Sequence, residues 1–259
     1  MELNEEHIGC MGEPRNTPVV GRFAPSPSGR MHLGNIFSAL MAWLSVRSQG
    51  GRMVLRIEDL DARCHNPLWS DLFIEDLRWL GLDWDEGPFY QRDRTALYEE
   101  ALDRLVASGL TYPCFCTRAE LHAASAPHAS DGTPIYAGTC RSLSPAEAAL
   151  RAAARPPATR LRVPRVEDDS DVVEFVDRVY GAQCEALAAE CGDFLIRRSD
   201  GIFAYQLAVV VDDAAMGVTE VVRGNDLLSS TPRQMYLQNL LGYPHPRYAH
   251  VPLLVAADG

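Results

Sequence analysis

The sequence predicts an α/β fold, a parallel sheet with helices on its faces, interrupted by an inserted lobe. Three observations predict it. Two strand-like apolar runs, residues 20–23 and 53–57, are separated by one helical stretch, which is the pattern of a βαβ unit. Helix-like and strand-like stretches go on alternating along both flanks of the chain. From 111 to about 143 the alternation lapses into Cys, Pro, Gly and His with little periodicity. With 259 residues, 47% of them hydrophobic, the chain can bury a core of this size.

Residues 1–17 are acidic and polar and are expected to form a disordered lead-in rather than a secretory signal. The first helix is expected over 33–49, where Gly50-Gly51 forms a C-cap pair. Trp69, Phe73, Leu77 and Leu80 recur at helical spacing and predict a helix over 67–80. A further helix is expected over 95–108. An Ala-rich helix over 145–154 stops before Pro156-Pro157, which cannot continue it. Strands are expected over 159–163, 172–179, 193–197, 205–211 and 218–222. A helix over 232–241 and a last strand over 251–255 follow. The resulting division is a lead-in (1–17), the first half of the α/β domain (18–110), an inserted subdomain (111–190) and the second half of that domain (191–259).

Composition narrows the function classes. No apolar run approaches the length of a bilayer span, so no membrane partner and a cytoplasmic location are expected. The net charge of -11 argues against wrapping nucleic acid through bulk attraction, although a local basic strip can still meet single-stranded RNA. Seven cysteines at uneven spacing (10, 64, 114, 116, 140, 184 and 191) favour thiols or a metal over disulfides.

Four stretches carry chemistry. Residues 22–35, Arg-Phe-Ala-Pro-Ser-Pro-Ser-Gly-Arg-Met-His-Leu-Gly-Asn, lead from a strand through a rigid turn into a helix. Backbone N–H groups at such a helix start, with His32 and Asn35 beside them, suit a nucleotide phosphate. The stretch is neither a Walker loop nor G-x-G-x-x-G, so a Pro-stiffened helix cap is the equal alternative. Arg56-Ile-Glu-Asp-Leu-Asp61 places carboxylates just past a strand end, where Glu58 can face a cleft or the run can cap the next helix. Phe203 to Ala208 and Val222-Arg-Gly-Asn-Asp226 form a second pair, in which Arg223 is either a ligand group or a surface residue at a strand end. Cys114-Phe-Cys116 followed by Cys140 offers three thiols for a tetrahedral zinc site, and on zinc chemistry His122 or His128 suits the fourth position. Cys64, Cys184 and Cys191 are expected to be ordinary thiols.

The motifs resemble those of class I aminoacyl-tRNA synthetases in their glutamate-specific branch. His32-Leu-Gly-Asn35 stands where that class carries His-Ile-Gly-His, and Arg22 to Gly29 and Arg56 to Asp59 match the branch. The resemblance implies a Rossmann-like catalytic domain with a zinc-containing insert. It implies ATP at His32, Gly34, Asn35 and Asp226, with His32 and Asn35 catalytic and Mg2+ accompanying the ATP. The same resemblance places glutamate against Arg22, Phe23, Ala24, Pro25, Ser26, Glu58, Tyr205 and Arg223, with Glu58 reading the α-amino group. Asp226-Leu-Leu-Ser-Ser-Thr-Pro-Arg-Gln resembles the family's Asp-x-Leu-x-Ser-Thr-x-x-Gln helix start.

Tyr112-Pro-Cys-Phe-Cys-Thr-Arg118 and Tyr136-Ala-Gly-Thr-Cys-Arg141 resemble the short paralogues of the branch, which implies structural zinc on Cys114, Cys116, Tyr136 and Cys140. Those paralogues activate L-glutamate with ATP and pass it to queuosine in the anticodon loop of tRNA(Asp), and a monomer is expected. The alternatives are the catalytic fragment of an ordinary glutamate-specific synthetase and a non-catalytic, zinc-stabilised RNA-binding relic. The family's second signature, Lys-(Met/Leu)-Ser-Lys, is expected directly after Gly259. A chain ending there is expected to activate glutamate poorly.

Overall fold

The computed structural model describes residues 18–27, 29–61, 66–121, 135–165 and 172–254. The expected lead-in, Cys10, Cys64, His122, His128 and residues 255–259 lie outside the described residues.

β1 (Val20–Phe23), α1 (Leu33–Ser48) and β2 (Arg52–Ile57) form the expected βαβ unit, with β1 and β2 parallel. α1 crosses close to β1 because position 21 is glycine, where a Cβ would stand 2.3 Å from Val46 Cγ2. α2 (Pro67–Trp79) starts on an Asn66 cap with proline in its first turn and returns the chain to β3 (Glu86–Tyr90), parallel to β2. β2 is buried on both faces, as parallel strands are. Its Met53, Leu55 and Ile57 enter one apolar cluster with Phe73 and Leu77, while Val54 enters the opposite cluster with Tyr98 and Leu207.

A second sheet runs β7 (Gly181–Ala186), β6 (Val172–Asp177), β10 (Arg247–Val251) and β9 (Glu220–Gly224). It meets the first where β1 lies beside β9. There Thr219 N donates to Val20 O at 2.9 Å, and Val20 N donates to Thr219 Oγ1 at 2.9 Å. Strands therefore succeed one another as β3-β2-β1-β9-β10-β6-β7. The chain builds outward from β1 on one side and later from β9 on the other, which makes the β1/β9 seam a topological switch point.

The third sheet is antiparallel: β4 (Thr111–Cys114), β5 (Ala158–Leu161) and β8 (Phe194–Arg197). α3 (Thr95–Ala107) precedes it, and the short α4 (Arg118–Leu121) and α5 (Pro145–Ala154) lie between β4 and β5. α6 (Leu187–Glu190) leads from β7 towards β8, and α8 (Ser230–Leu241) ends in left-handed Gly242 before β10.

Three expectations are corrected. Residues 205–211 belong to helix α7 (Tyr205–Ala215), not to a strand. Leu207 to Asp213 are all buried, so no polar face marks the helical period, and the Val-Val-Val run mimics a strand. The last strand is Arg247–Val251, not 251–255; its Arg247 and His250 disguise a run that pairs residue for residue with Glu220 to Gly224. β3, β4 and β7 were not anticipated, since Pro88 and Pro113 and the polar Gln183 and Glu185 break the apolar pattern. The β6–β7 hairpin lies within 111–190, yet β6 pairs with β10 through Asp177 and Tyr248.

Candidate functional site

The switch-point seam brings two buried arginines together. Arg22 on β1 and Arg223 on β9 are each 5% exposed and close enough to influence one another electrostatically. Arg22 donates from Nη1 to Val222 O at 3.3 Å, and its Nε–H has no hydrogen-bond partner. Burial disfavours its charge, against which Asp213 at 3.6 Å pulls. Arg223 donates from Nε to His250 Nε2 at 2.9 Å, from Nη1 to Gln234 Oε1 at 2.9 Å and Tyr205 Oη at 3.3 Å, and from Nη2 to Thr231 Oγ1 at 2.8 Å. None of these partners is a carboxylate. A buried guanidinium served only by neutral acceptors keeps its charge available for an anion.

A carboxylate and a third arginine stand beside them. Arg56, fully buried, donates from Nη2 to Glu58 Oε1 at 3.0 Å and from Nη1 to Asp213 Oδ1 at 2.6 Å. Its Nε lies 3.7 Å from Asp212, which also accepts from Gln91, Arg94 and Tyr98. These carboxylates hold the Arg56 charge firmly despite burial. Burial pushes the Glu58 carboxyl above its ordinary range, and Arg56 and Arg22 pull it back only in part. The Tyr205 phenol is likewise raised by burial, with Arg223 opposing. Arg22, Glu58, Tyr205 and Arg223 thus form one buried polar cluster, the candidate pocket.

The turn after β1 borders this pocket. Glu58 N donates to Pro25 O at 2.8 Å, which ties the Ala24–Pro25–Ser26 stretch to the end of β2. Phe23, expected among the glutamate contacts, turns its side chain into the apolar cluster with Ala39 and Ile57, because strand alternation opposes it to Arg22. His32 caps α1: its Nδ1 accepts from Asn35 N at 3.3 Å, and Asn35 Oδ1 accepts from His32 N at 3.3 Å, a reciprocal capping box. With Nδ1 accepting, the neutral ring carries its proton on Nε2, a donor at the helix start beside Gly34. Asp226 is exposed in the turn after β9, with Oδ1 2.4 Å from where a Cβ on Gly224 would stand.

A second constellation lies on the antiparallel sheet. The sulfurs of Cys114, Cys116 and Cys140 are all within 4.8 Å of one another, and Cys116 and Cys140 are 3.7 Å apart. Tetrahedral zinc with bonds of about 2.3 Å spaces its thiolates about 3.8 Å apart, so the three thiols fit such an ion. Tyr136 Oη is 3.5 Å from Cys114 Sγ and 3.7 Å from Cys116 Sγ, and accepts from Cys140 N at 2.7 Å. Arg160 donates from Nε to Cys114 Sγ at 3.2 Å and lies over the Tyr136 ring, while Phe115 N donates to Cys140 Sγ at 3.4 Å. Such N–H donors stabilise thiolate, the form a metal binds. The cluster can hold a metal ion. Cys191 is a packed thiol, raised by burial to about 11, and Cys184 is exposed.

Sequence reasoning did not single out Arg56's partners Asp212 and Asp213, nor Asp177 and His250. Two adjacent acids ending an otherwise apolar stretch were the available signal for the first pair. His250, in an apolar tail, gave none.

A family model described as tRNA synthetases class I (E and Q), catalytic domain, matches residues 18–259. Among curated relatives, the glutamyl-Q tRNA(Asp) synthetase of Symbiobacterium thermophilum is 51% identical over 253 residues, covering 93% of this chain and 76% of its own length. That of Nitratidesulfovibrio vulgaris is 50% identical over 252 residues, with 93% and 76% covered. Among solved structures, a glutamate tRNA ligase from Elizabethkingia meningosepticum in complex with its amino acid superposes with a TM-score of 0.78 at 27% identity. It covers 92% of this chain and 50% of the ligase, so the chain spans about half of that protein. A glutamate-tRNA synthetase from Elizabethkingia anophelis gives 0.80 at 26% identity, covering 94% and 52%.

Proposed function

The chain belongs to the class I tRNA synthetases of the E and Q group, and from that membership we propose that it activates L-glutamate with ATP and transfers it to queuosine in tRNA(Asp). The carrying observation is the pair of buried guanidiniums at the switch point, Arg22 with its carboxylate partner Asp213 held off at 3.6 Å and Arg223 with only neutral partners. A dicarboxylate supplies the anion that Arg223 lacks and a closer one for Arg22, and Glu58 beside them takes the substrate ammonium.

In the first step an α-carboxylate oxygen of glutamate attacks the α-phosphorus of ATP, and the bond to the pyrophosphate oxygen breaks. No side chain forms a bond, so the residues work by positioning and by offering charge where it develops. His32 Nε2–H and the N–H groups at the start of α1 face the phosphates, with Asn35 holding His32 in place. Gly34 leaves the backbone open there, and Asp226 borders the nucleotide. ATP brings Mg2+ on its phosphates. In the second step a ring hydroxyl of queuosine attacks the glutamyl carbonyl and AMP leaves, which suits a splayed base in a single-stranded loop. Cys114, Cys116, Cys140 and Tyr136 would hold Zn2+, which would fasten β4 to the Cys140 turn and supplies no reaction chemistry. The enzyme works in the cytoplasm as a monomer.

Glutamate-dependent ATP–pyrophosphate exchange, run beside glutamine and aspartate, tests the first step in the full-length protein. Charging of queuosine-containing tRNA(Asp) tests the second. Charging of tRNA(Glu) instead marks an ordinary glutamate-specific synthetase, and no exchange with glutamate overturns the reading.

A further inference from the structure

Behind Arg223, two fully enclosed polar residues have no part in the chemistry described. His250, on β10, is 0% exposed, and Asp177, at the end of β6, is 1% exposed. Asp177 Oδ2 lies 2.6 Å from His250 Nδ1, and His250 Nε2 lies 2.9 Å from Arg223 Nε. Arginine can only donate, so Nε2 is the acceptor and carries no proton. The ring proton therefore sits on Nδ1 and is given to Asp177. Asp177 is itself fixed, because its Oδ1 accepts from Val179 N at 2.9 Å and Tyr180 N at 3.0 Å, and both its oxygens face His250 N. Burial and the neighbouring Arg223 charge both favour the neutral ring that this arrangement requires.

The chain of contacts Asp177–His250–Arg223 has the logic of a carboxylate that orients a metal-binding histidine, with a guanidinium in place of the metal. We propose that Asp177 and His250 are positioning residues that aim Arg223 at the substrate carboxylate while keeping its charge unneutralised. A carboxylate placed directly on Arg223 would hold it equally well but would compete with glutamate for the same donors. An imidazole fixes the Nε–H and leaves the positive charge to the ligand. Thr231 and Gln234 pin the two Nη atoms, so four of the five N–H groups, counting that to Tyr205, are directed by the protein. The remaining Nη2–H is the donor whose aim this scaffold sets. The inference rests on the reading that Arg223 contacts glutamate.

The test is steady-state ATP–pyrophosphate exchange by the full-length protein, with glutamate and ATP varied separately. His250→Leu, which removes the acceptor, is expected to raise the glutamate KM roughly tenfold or more and to leave the ATP KM within about twofold. His250→Gln, whose amide oxygen can occupy the Nε2 position, is expected to restore the glutamate KM to within about threefold of the parent. An unchanged glutamate KM in folded His250→Leu, or an equal rise in both KM values that His250→Gln fails to rescue, overturns the proposal. Nitrogen-15 NMR of histidine-labelled parent protein needs no variant to fold. It should show His250 protonated on Nδ1, and the Nε2 tautomer overturns the proposal. Arg223→Ala separates the two levels. If it leaves the glutamate KM unchanged, the pocket assignment fails and the relay with it; if it raises that KM while His250→Leu does not, only the relay fails.

Discussion

Arg56 and Asp213 meet across 2.6 Å, although 157 residues separate them in the chain. The contact joins β2 to α7 beneath the candidate pocket. Asp213 also faces Arg22 Nε, and Arg56 also holds Glu58, so two pocket residues depend on one buried pair.

Removing one partner of a buried pair leaves the other charge stranded, which typically costs about 3–5 kcal/mol. Arg56→Met removes the arginine bonded to Glu58 and the nearest partner of Asp213, which is left with Arg22 at 3.6 Å, while Asp212 keeps Arg94. Urea unfolding should show a loss of that size at pH 7, with partial recovery in the double variant Arg56→Met/Asp213→Leu. A single variant as stable as the parent contradicts the ion network.

Burial raises the Glu58 carboxyl above its ordinary range, so its proton leaves only at higher pH than in the unfolded chain. Only the carboxylate form attracts the substrate ammonium. As pH falls through that raised value, kcat/KM for glutamate should drop tenfold per pH unit, beginning above the usual carboxylate range of about 4.3. Glu58→Gln should lower kcat/KM throughout and remove this acidic limb.

Lysine keeps the charge of arginine and loses the planar fork. A lost hydrogen bond to a charged group costs about 1.5–3 kcal/mol, roughly 10- to 100-fold in binding. Arg22→Lys and Arg223→Lys should each reduce the preference for glutamate over glutamine by such a factor in the exchange assay. Equal use of both substrates by the parent contradicts the assignment.

The thiol cluster belongs to the antiparallel sheet and its own small apolar group of Tyr112, Cys114, Phe115 and Cys140. Chelation, or Cys116→Ser, should release one metal ion per chain by elemental analysis and lower the melting temperature. The glutamate KM should move less than about twofold, since among the described residues none of these three thiols bonds to Arg22, Glu58, Tyr205 or Arg223. Loss of glutamate activation in step with metal loss contradicts a structural role.

Local patterns made β1, its turn and α1 legible, because an apolar run, a Pro/Ser/Gly turn, an apolar helical stretch and Gly50-Gly51 follow one another. The reciprocal His32–Asn35 cap and the close approach at Gly21 emerged only in the fold. The clustering of Cys114, Cys116 and Cys140 was legible from thiol chemistry in a Pro/Gly-rich stretch. α7 was not, because a helix buried all round loses the polar stripe that marks its period. Nor were the polar partners inside. Asp213 reaches Arg56 from 157 residues away and Asp177 reaches His250 from 73, so no spacing in the chain announces either contact.

A crystal structure of the protein with L-glutamate and a non-hydrolysable ATP analogue bears most directly on the two-arginine pocket. Both guanidiniums should lie within about 3.2 Å of glutamate carboxylate oxygens, with Glu58 at the ammonium group. Glutamate bound elsewhere, or bound with Arg223 touching only His250, Thr231, Gln234 and Tyr205, would contradict it.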